Sequence, residues 1–178
     1  MTISTACSSS AKVFASAYRS IESGFCDAAI VGGVDSLCLT TLYGFNSLQL
    51  ISEDICRPWD KQRNGINIGE AAGFMLLERS NECKGVCLTG YGESSDAYHI
   101  SSPHPEGDGG KMAMESALSA AGVKASDIDY VNLHGTATPS NDQSESRGLY
   151  SIFGDEIACS STKGMTGHTL GAAGINEA

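Results

Sequence analysis

The fold class turns on Tyr130-Val131-Asn132-Leu133-His134-Gly135-Thr136-Ala137-Thr138-Pro139-Ser140-Asn141-Asp142. Residues 129–133 read as a strand that runs directly into His134. Residues 141–153 read as a helix, with Ser140 or Asn141 as its N-cap. Residues 157–160 then read as a second strand, running into Lys163. Strand, helix and strand in that order predict α/β layers and a largely parallel sheet. Ligands of such sheets bind beyond strand ends, which is where His134 and Lys163 fall.

The same alternation extends outward. Residues 2–6 read as the end of a strand, and 8–24 as a helix with apolar or small residues at Ala11, Phe14, Ala15, Ala17, Tyr18 and Ile21. Residues 28–34 and 70–78 read as buried strands. Residues 40–50 read as a helix with a broad apolar face, and 56–67 as a polar loop. After a soft break at 80–85, residues 86–94 read as another strand. A long loop over 95–110 holds His99 and His104, read as surface residues. A helix follows over 111–121, and a small-residue helix over 169–177 is interrupted by Gly171 and Gly174.

Composition narrows the function. The chain has 178 residues, and its 41% apolar content supports a packed core. A net charge of −10 argues against nucleic acid, which needs clustered Lys and Arg. Arg57, Lys61 and Arg63 form the local basic cluster, expected to pair with Asp60 or the loop backbone. No apolar run reaches membrane-span length, and the first residues lack a signal-peptide layout. The seven cysteines, at 7, 26, 38, 56, 83, 87 and 159, form no Cys-x-x-Cys and no zinc-finger spacing. Scattered, mostly buried, reduced thiols in a cytoplasm are expected, with no metal.

One cysteine stands apart. Cys7, in Thr5-Ala6-Cys7-Ser8-Ser9-Ser10, lies at a strand-to-helix junction. A helix N-terminus favours a thiolate, but the dipole contributes only up to ~2 kcal/mol, so a nucleophile there also needs an imidazole nearby. His134 and His168 are the candidates, with Lys163 as a cation in the same segment as His168. An imidazole can donate to a developing oxyanion, and the Thr136 and Thr138 hydroxyls can bind an amide-bearing substrate arm. Taken alone, a loop-capping histidine, a solvated lysine and a turn histidine explain these residues equally well. Glu177 is nine residues beyond His168, on the opposite face of any continuous helix. The two meet only if His168 precedes the helix, and Glu177 is expected as a buried supporting charge.

Three stretches together resemble a β-ketoacyl-[acyl-carrier-protein] synthase of the elongating type. They are Thr5-Ala6-Cys7-Ser8-Ser9, His134-Gly135-Thr136-Ala137-Thr138 and the run from Ser161-Thr162-Lys163-Gly164-Met165-Thr166-Gly167-His168 to Gly174. Arg57-Pro58-Trp59-Asp60 and Gly69-Glu70-Ala71-Ala72-Gly73 resemble the same family. The resemblance runs across essentially the whole chain. It implies a thiolase-like layered αβαβα fold. Residues 1–85 would be the latter part of its N-terminal half, and 86–178 the first part of its C-terminal half.

The resemblance also implies roles. Cys7 would accept the acyl group. His134 and His168 would be the decarboxylation pair, with Lys163 the supporting cation and Glu177 the buried acid. Thr136 and Thr138 would contact a phosphopantetheine arm, Phe45 would sit near the entrance, and Asn132 near the site floor. The reaction would be decarboxylative condensation of an acyl-enzyme with malonyl-acyl-carrier protein, with no resident cofactor. The partners would be an acyl carrier protein and a second synthase subunit, giving a homodimer or a heterodimer with a ketosynthase-like partner.

The chain also departs from the family. Gln49 stands where some elongating synthases carry an arginine for carrier docking. Family members are about twice this length, so the chain resembles an internal segment with incomplete sheets and without the late phenylalanine gatekeeper. An inert fragment or a non-catalytic partner subunit is the alternative, and a cysteine hydrolase a weaker third. The run from Leu37 to Phe45 is less glycine-rich than a housekeeping synthase would carry, which leans towards a polyene or polyketide system.

Overall fold

The computed structural model describes residues 1–82 and 84–178. They divide into two compact units, each built from separate stretches of chain.

The first unit comprises residues 1–42, 68–88 and 168–178. Its first helix is α1 (Ser9–Glu22). Strands β1 (Ala28–Asp35) and β2 (Ala71–Glu78) pair antiparallel from Ala28↔Glu78 to Asp35↔Ala71. A single 3-10 turn (Leu170–Ala172) leads into α6 (Ala173–Glu177). Ala17, Val31, Ala172 and Ile175 form the core, with Val13, Phe14, Ala29, Ala71 and Leu77 packed around it. One sheet face therefore packs on α1 and α6. The alternate residues point the other way, as strand geometry requires, and leave Ile30 78% and Phe74 69% exposed.

The close approach of α6 to α1 depends on missing side chains. A Cβ on Gly174 would overlap the Ala11 backbone, and one on Gly33 would lie 2.8 Å from the Ser10 Cβ. The Ser10 hydroxyl then accepts the Ile175 N–H at 3.0 Å, and Asp35 accepts the Gly171 N–H at 2.9 Å. The glycines read from sequence as helix interruptions are thus packing contacts. The region is a 3-10 turn followed by a short helix.

The second unit comprises residues 43–67 and 89–167. Helix α2 (Leu39–Ser47) begins in the last residues of the first unit's 1–42 stretch and ends in the 43–67 stretch, and no residue of it is buried. Helices α3 (Asp108–Ala121) and α4 (Pro139–Phe153) lie with the parallel pair β3 (Tyr130–Asn132) and β4 (Ala158–Ser160). A one-turn helix, α5 (Lys163–Thr166), follows β4. The expected loop over 95–110 forms a tethered surface. Asp96 accepts the His104 N–H at 2.8 Å, and the His104 carbonyl accepts the Ser144 hydroxyl at 2.8 Å. His99 is exposed and His104 half-buried. Arg63 donates to the carbonyls of Asp60 and Pro139, as its loop role required.

Four expectations need correction. The sheets are not largely parallel, because β1 and β2 pair antiparallel. Neither residues 2–6 nor 86–94 form a ladder among the described residues, although Thr5 and Cys7 make an isolated bridge. Gly90 and Gly92 instead run against α3, where a Cβ would meet the Ala117 and Ala113 backbones. The N-cap of α4 is Thr138, with Pro139 in the first turn, where its missing N–H costs nothing. The thiols are not mostly buried. Cys56 is buried, Cys7, Cys26 and Cys159 are half-buried, and Cys38 is exposed. Cys87 is disulfide-bonded rather than reduced, and Cys83 lies outside the described residues. No described helix is long and apolar enough to cross a membrane.

The packing at Gly174 gives a test. Alanine in a helix interior normally gains ~1 kcal/mol over glycine. Overlap with the Ala11 backbone costs more, about 1–3 kcal/mol from forced displacement. Gly174→Ala should therefore lower the urea midpoint at unchanged slope. A raised midpoint would show that α6 does not depend on this close contact.

Candidate active site

In the first unit, Cys7 sits between a strained residue and a helix. Ala6 has φ 54°, a left-handed conformation costly to a residue with a Cβ. Side-chain bonds hold that turn. The Ser8 hydroxyl donates to the Thr5 carbonyl at 2.9 Å, the Ser9 hydroxyl to the Ala6 carbonyl at 2.6 Å, and Ser9 Oγ accepts the Thr5 N–H at 2.9 Å. The serines after Cys7 are thus spent on the turn that aims it. Strain of this kind persists only where its surroundings enforce it.

His168 places an imidazole beside the Cys7 thiol. It is 2% exposed, and its Nε2 lies 3.0 Å from Cys7 Sγ. Its carbonyl accepts the Gly69 N–H at 3.1 Å, and it bridges Ile68 in the chain entering β2. Its Nδ1 accepts the Leu170 N–H at 3.3 Å, with Leu170 itself at φ 50°. A ring nitrogen that accepts cannot carry the proton, so in neutral His168 the proton sits on Nε2, facing the sulfur. This imidazole is a fixed donor towards Cys7. His168 does precede the helix, as contact with Glu177 required. Glu177, at the end of α6, is half-buried rather than buried.

In the second unit, β3 delivers His134 and β4 delivers Lys163. Leu133 N–H extends the pairing to the Ser160 carbonyl at 2.8 Å. Ser161 ties the two strand ends together. Its hydroxyl donates to the Gly135 carbonyl at 2.9 Å and accepts the Lys163 N–H at 3.2 Å. Lys163 is 1% exposed. Burial, and then the Lys163 charge, push the His134 pKa down from 6.5 to about 4. His134 is therefore neutral at physiological pH, a poor base and a competent N–H donor. Thr136 and Thr138 are buried, with their hydroxyls 2.9 Å apart. Phe45, on α2, and Asn132, at the end of β3, are half-buried. Gln49 lies in a left-handed turn after α2, at φ 57°.

Sequence reasoning passed over two carboxylates. Asp142 is 2% exposed and gathers the 56–67 loop onto α4. It accepts the Trp59 N–H at 2.8 Å and the Ala137 N–H at 3.2 Å, and lies 3.4 Å from Arg63 Nε. Glu145 accepts the N–H groups of His134 at 2.6 Å and Gly135 at 2.8 Å. Both sit in a polar stretch that reads as a solvated helix face. The available signal was that Asp142 and Glu145, three residues apart, share one face close behind the His134 turn.

The comparisons follow these residues along the whole chain. Residues 1–83 match the model of the β-ketoacyl synthase N-terminal domain, and 86–178 that of the C-terminal domain. The chain is 40% identical to 3-oxoacyl-[acyl-carrier-protein] synthase 2 of Vibrio cholerae, across 99% of this chain and 47% of that protein. A solved ketosynthase from Xenorhabdus doucetiae, in complex with its chain length factor, superposes with TM-score 0.95 at 51% identity. It is covered over 43% of its length by 98% of this chain. A β-ketoacyl synthase from Burkholderia phymatum superposes with TM-score 0.91 at 33% identity, with 98% of this chain on 45% of that one. The chain thus spans about half the length of the relatives it matches.

The His134 environment gives a test with a definite sign. The lowered value, about 4 against 6.5, means that the ring stays neutral as pH falls to about 5. The unfolded chain takes up that proton first, so this group makes stability fall between about pH 6.5 and about pH 4. NMR of the His134 ring should show no titration above about pH 5. In Lys163→Gln its pKa should rise, but only part of the way to 6.5, because burial is the larger cause. Ordinary titration near 6.5 in the unaltered protein would contradict this electrostatic account.

Proposed function

The chain belongs to the β-ketoacyl synthase family, and we propose that it carries the catalytic residues of a decarboxylative condensing enzyme. The carrying observation is the Cys7–His168 pair, a sulfur held 3.0 Å from a buried imidazole whose proton faces it. That donor stabilises a thiolate, and after acylation the same N–H serves a developing oxyanion.

The reaction would run in three steps. The Cys7 thiolate attacks the carbonyl of an acyl thioester, forms a new thioester and expels the carrier thiolate. One thioester replaces another, so positioning matters more than driving force. Malonyl-carrier then loses CO2, and the electron pair of the broken C–C bond becomes an enolate whose oxygen accepts from His134 and His168. The enolate carbon attacks the acyl-Cys7 carbonyl, which releases the sulfur and gives a 3-oxoacyl thioester. The neutrality of His134 supports its donor role, and burial, then the Lys163 charge, maintains that neutrality. Glu177 would support the same electrostatics. Thr136 and Thr138 would receive the phosphopantetheine arm, with Phe45 near its entrance and Asn132 at the floor. No resident cofactor is needed, because the substrates arrive on a carrier protein.

The proposed product is a polyene or polyketide chain. The 51% identity to a ketosynthase solved with its chain length factor supports this, against 40% to the synthase 2 of Vibrio cholerae. The Xenorhabdus structure and an ishigamide ketosynthase/chain length factor, 35% identical, make a ketosynthase-like partner subunit the assembly we favour over a homodimer. A further neighbour, 28% identical, is described as a ketosynthase with its type II acyl-carrier protein, which supports a carrier partner. The proposed location is the cytoplasm.

In the full-length enzyme, Cys7→Ala should abolish acyl transfer and retain malonyl decarboxylation. His168→Ala should lose condensation by about 10²–10³-fold, the cost of one oxyanion donor. Intact-mass detection of acyl-Cys7 and CO2 release separate the two steps. A Cys7→Ala protein that is still acylated, or a His168→Ala protein that condenses normally, would sink the assignment.

A further inference from the structure

One half-buried acid has no part in the steps above. Glu145, two turns into α4, directs both carboxylate oxygens at the backbone beneath a catalytic histidine. Oε1 accepts the His134 N–H at 2.6 Å, and Oε2 accepts the Gly135 N–H at 2.8 Å. Asn141 approaches Oε2 at 3.5 Å from the preceding turn. The Trp59 indole faces the same carboxylate from the 56–67 loop, and Cys159 feels its charge from β4. Burial and the neighbouring Asp142 push the Glu145 pKa up, while the two backbone bonds pull it back.

The turn after β3 needs this grip. A strand that ends in a turn leaves N–H groups without ladder partners, and each must be satisfied elsewhere. At His134 and Gly135, one side chain takes both. Its two acceptors are equivalent only as a carboxylate. In the amide of glutamine, one oxygen becomes an NH2 that would face a backbone N–H, donor against donor. The pocket therefore discriminates between two side chains of equal shape.

We infer that Glu145 is a positioning residue for the condensation: its carboxylate clamps the His134–Gly135 backbone and so fixes the direction of the His134 imidazole. The inference rests on the condensing role of His134 proposed above. A displacement of about 1 Å at a reacting group is enough to cost about 10²-fold.

The test uses Glu145→Gln in the full-length enzyme. Malonyl decarboxylation should fall about 10²-fold, while Cys7 acylation, which does not use His134, stays within about threefold. A shape-filling or merely stabilising role predicts otherwise, with both steps near normal or both falling together. Either of those results overturns the inference. Should the variant not fold, the unaltered protein decides. The His134 and Gly135 amide protons should shift with the same midpoint as the Glu145 carboxyl carbon in an NMR acid titration. Amide protons that do not follow that carbon would also overturn it. Failure of Cys7 acylation in the unaltered enzyme would instead sink the condensing reading, leaving the amide titration to judge the clamp.

Discussion

A single proton position organises the first unit. The Leu170 N–H points at His168 Nδ1, and that bond places the ring proton on Nε2, against the Cys7 sulfur. Each neighbouring feature keeps the two residues in register. Leu170 adopts a left-handed backbone to aim its N–H, and Ala6 does the same to aim Cys7. The serines after Cys7 hold one turn, and Gly69 holds the His168 carbonyl. Gly174 lets α6 close on α1, the helix that Cys7 leads. Strained residues, small residues and hydrogen bonds converge on one N–H to sulfur distance.

The second unit solves a different problem with the same means. It keeps an imidazole neutral and pointed. Burial and the Lys163 charge do the first, and the backbone bonds at the His134 turn concern the second. Three backbone-directed side chains carry this unit's turns: Ser161 on the Gly135 carbonyl, Glu145 on the His134 and Gly135 N–H groups, and Asp142 on the Trp59 and Ala137 N–H groups. The polarity of α4 is thus not the mark of a solvated face. Asp142 and Ser144 are among its buried residues.

The legible part of the sequence was that governed by local pattern. Helix α1 and strands β1 and β2 follow from apolar spacing, and the strand ends at His134 and Lys163 from short runs meeting turn residues. The need of Cys7 for an imidazole followed from the small size of the dipole effect. What stayed hidden depends on contacts distant in sequence. Pairing direction could not be read, because β1 and β2 are apolar enough for either a parallel or an antiparallel partner. Residues 86–94 have strand composition but no ladder partner among the described residues. Gly171 and Gly174 looked like helix breakers because their function lies in the Asp35 and Ala11 that approach them. Glu145 was invisible because its partners are backbone N–H groups, present in every sequence.

The proposed chemistry turns on His168 as a fixed N–H donor aimed at Cys7. The most direct measurement is the nitrogen-15 NMR spectrum of its imidazole in the unliganded protein at neutral pH. A protonated Nε2, with its one-bond coupling to hydrogen, and a proton-free Nδ1 are expected. A proton on Nδ1 with a bare Nε2 facing the sulfur would contradict this and make His168 a base instead of a donor.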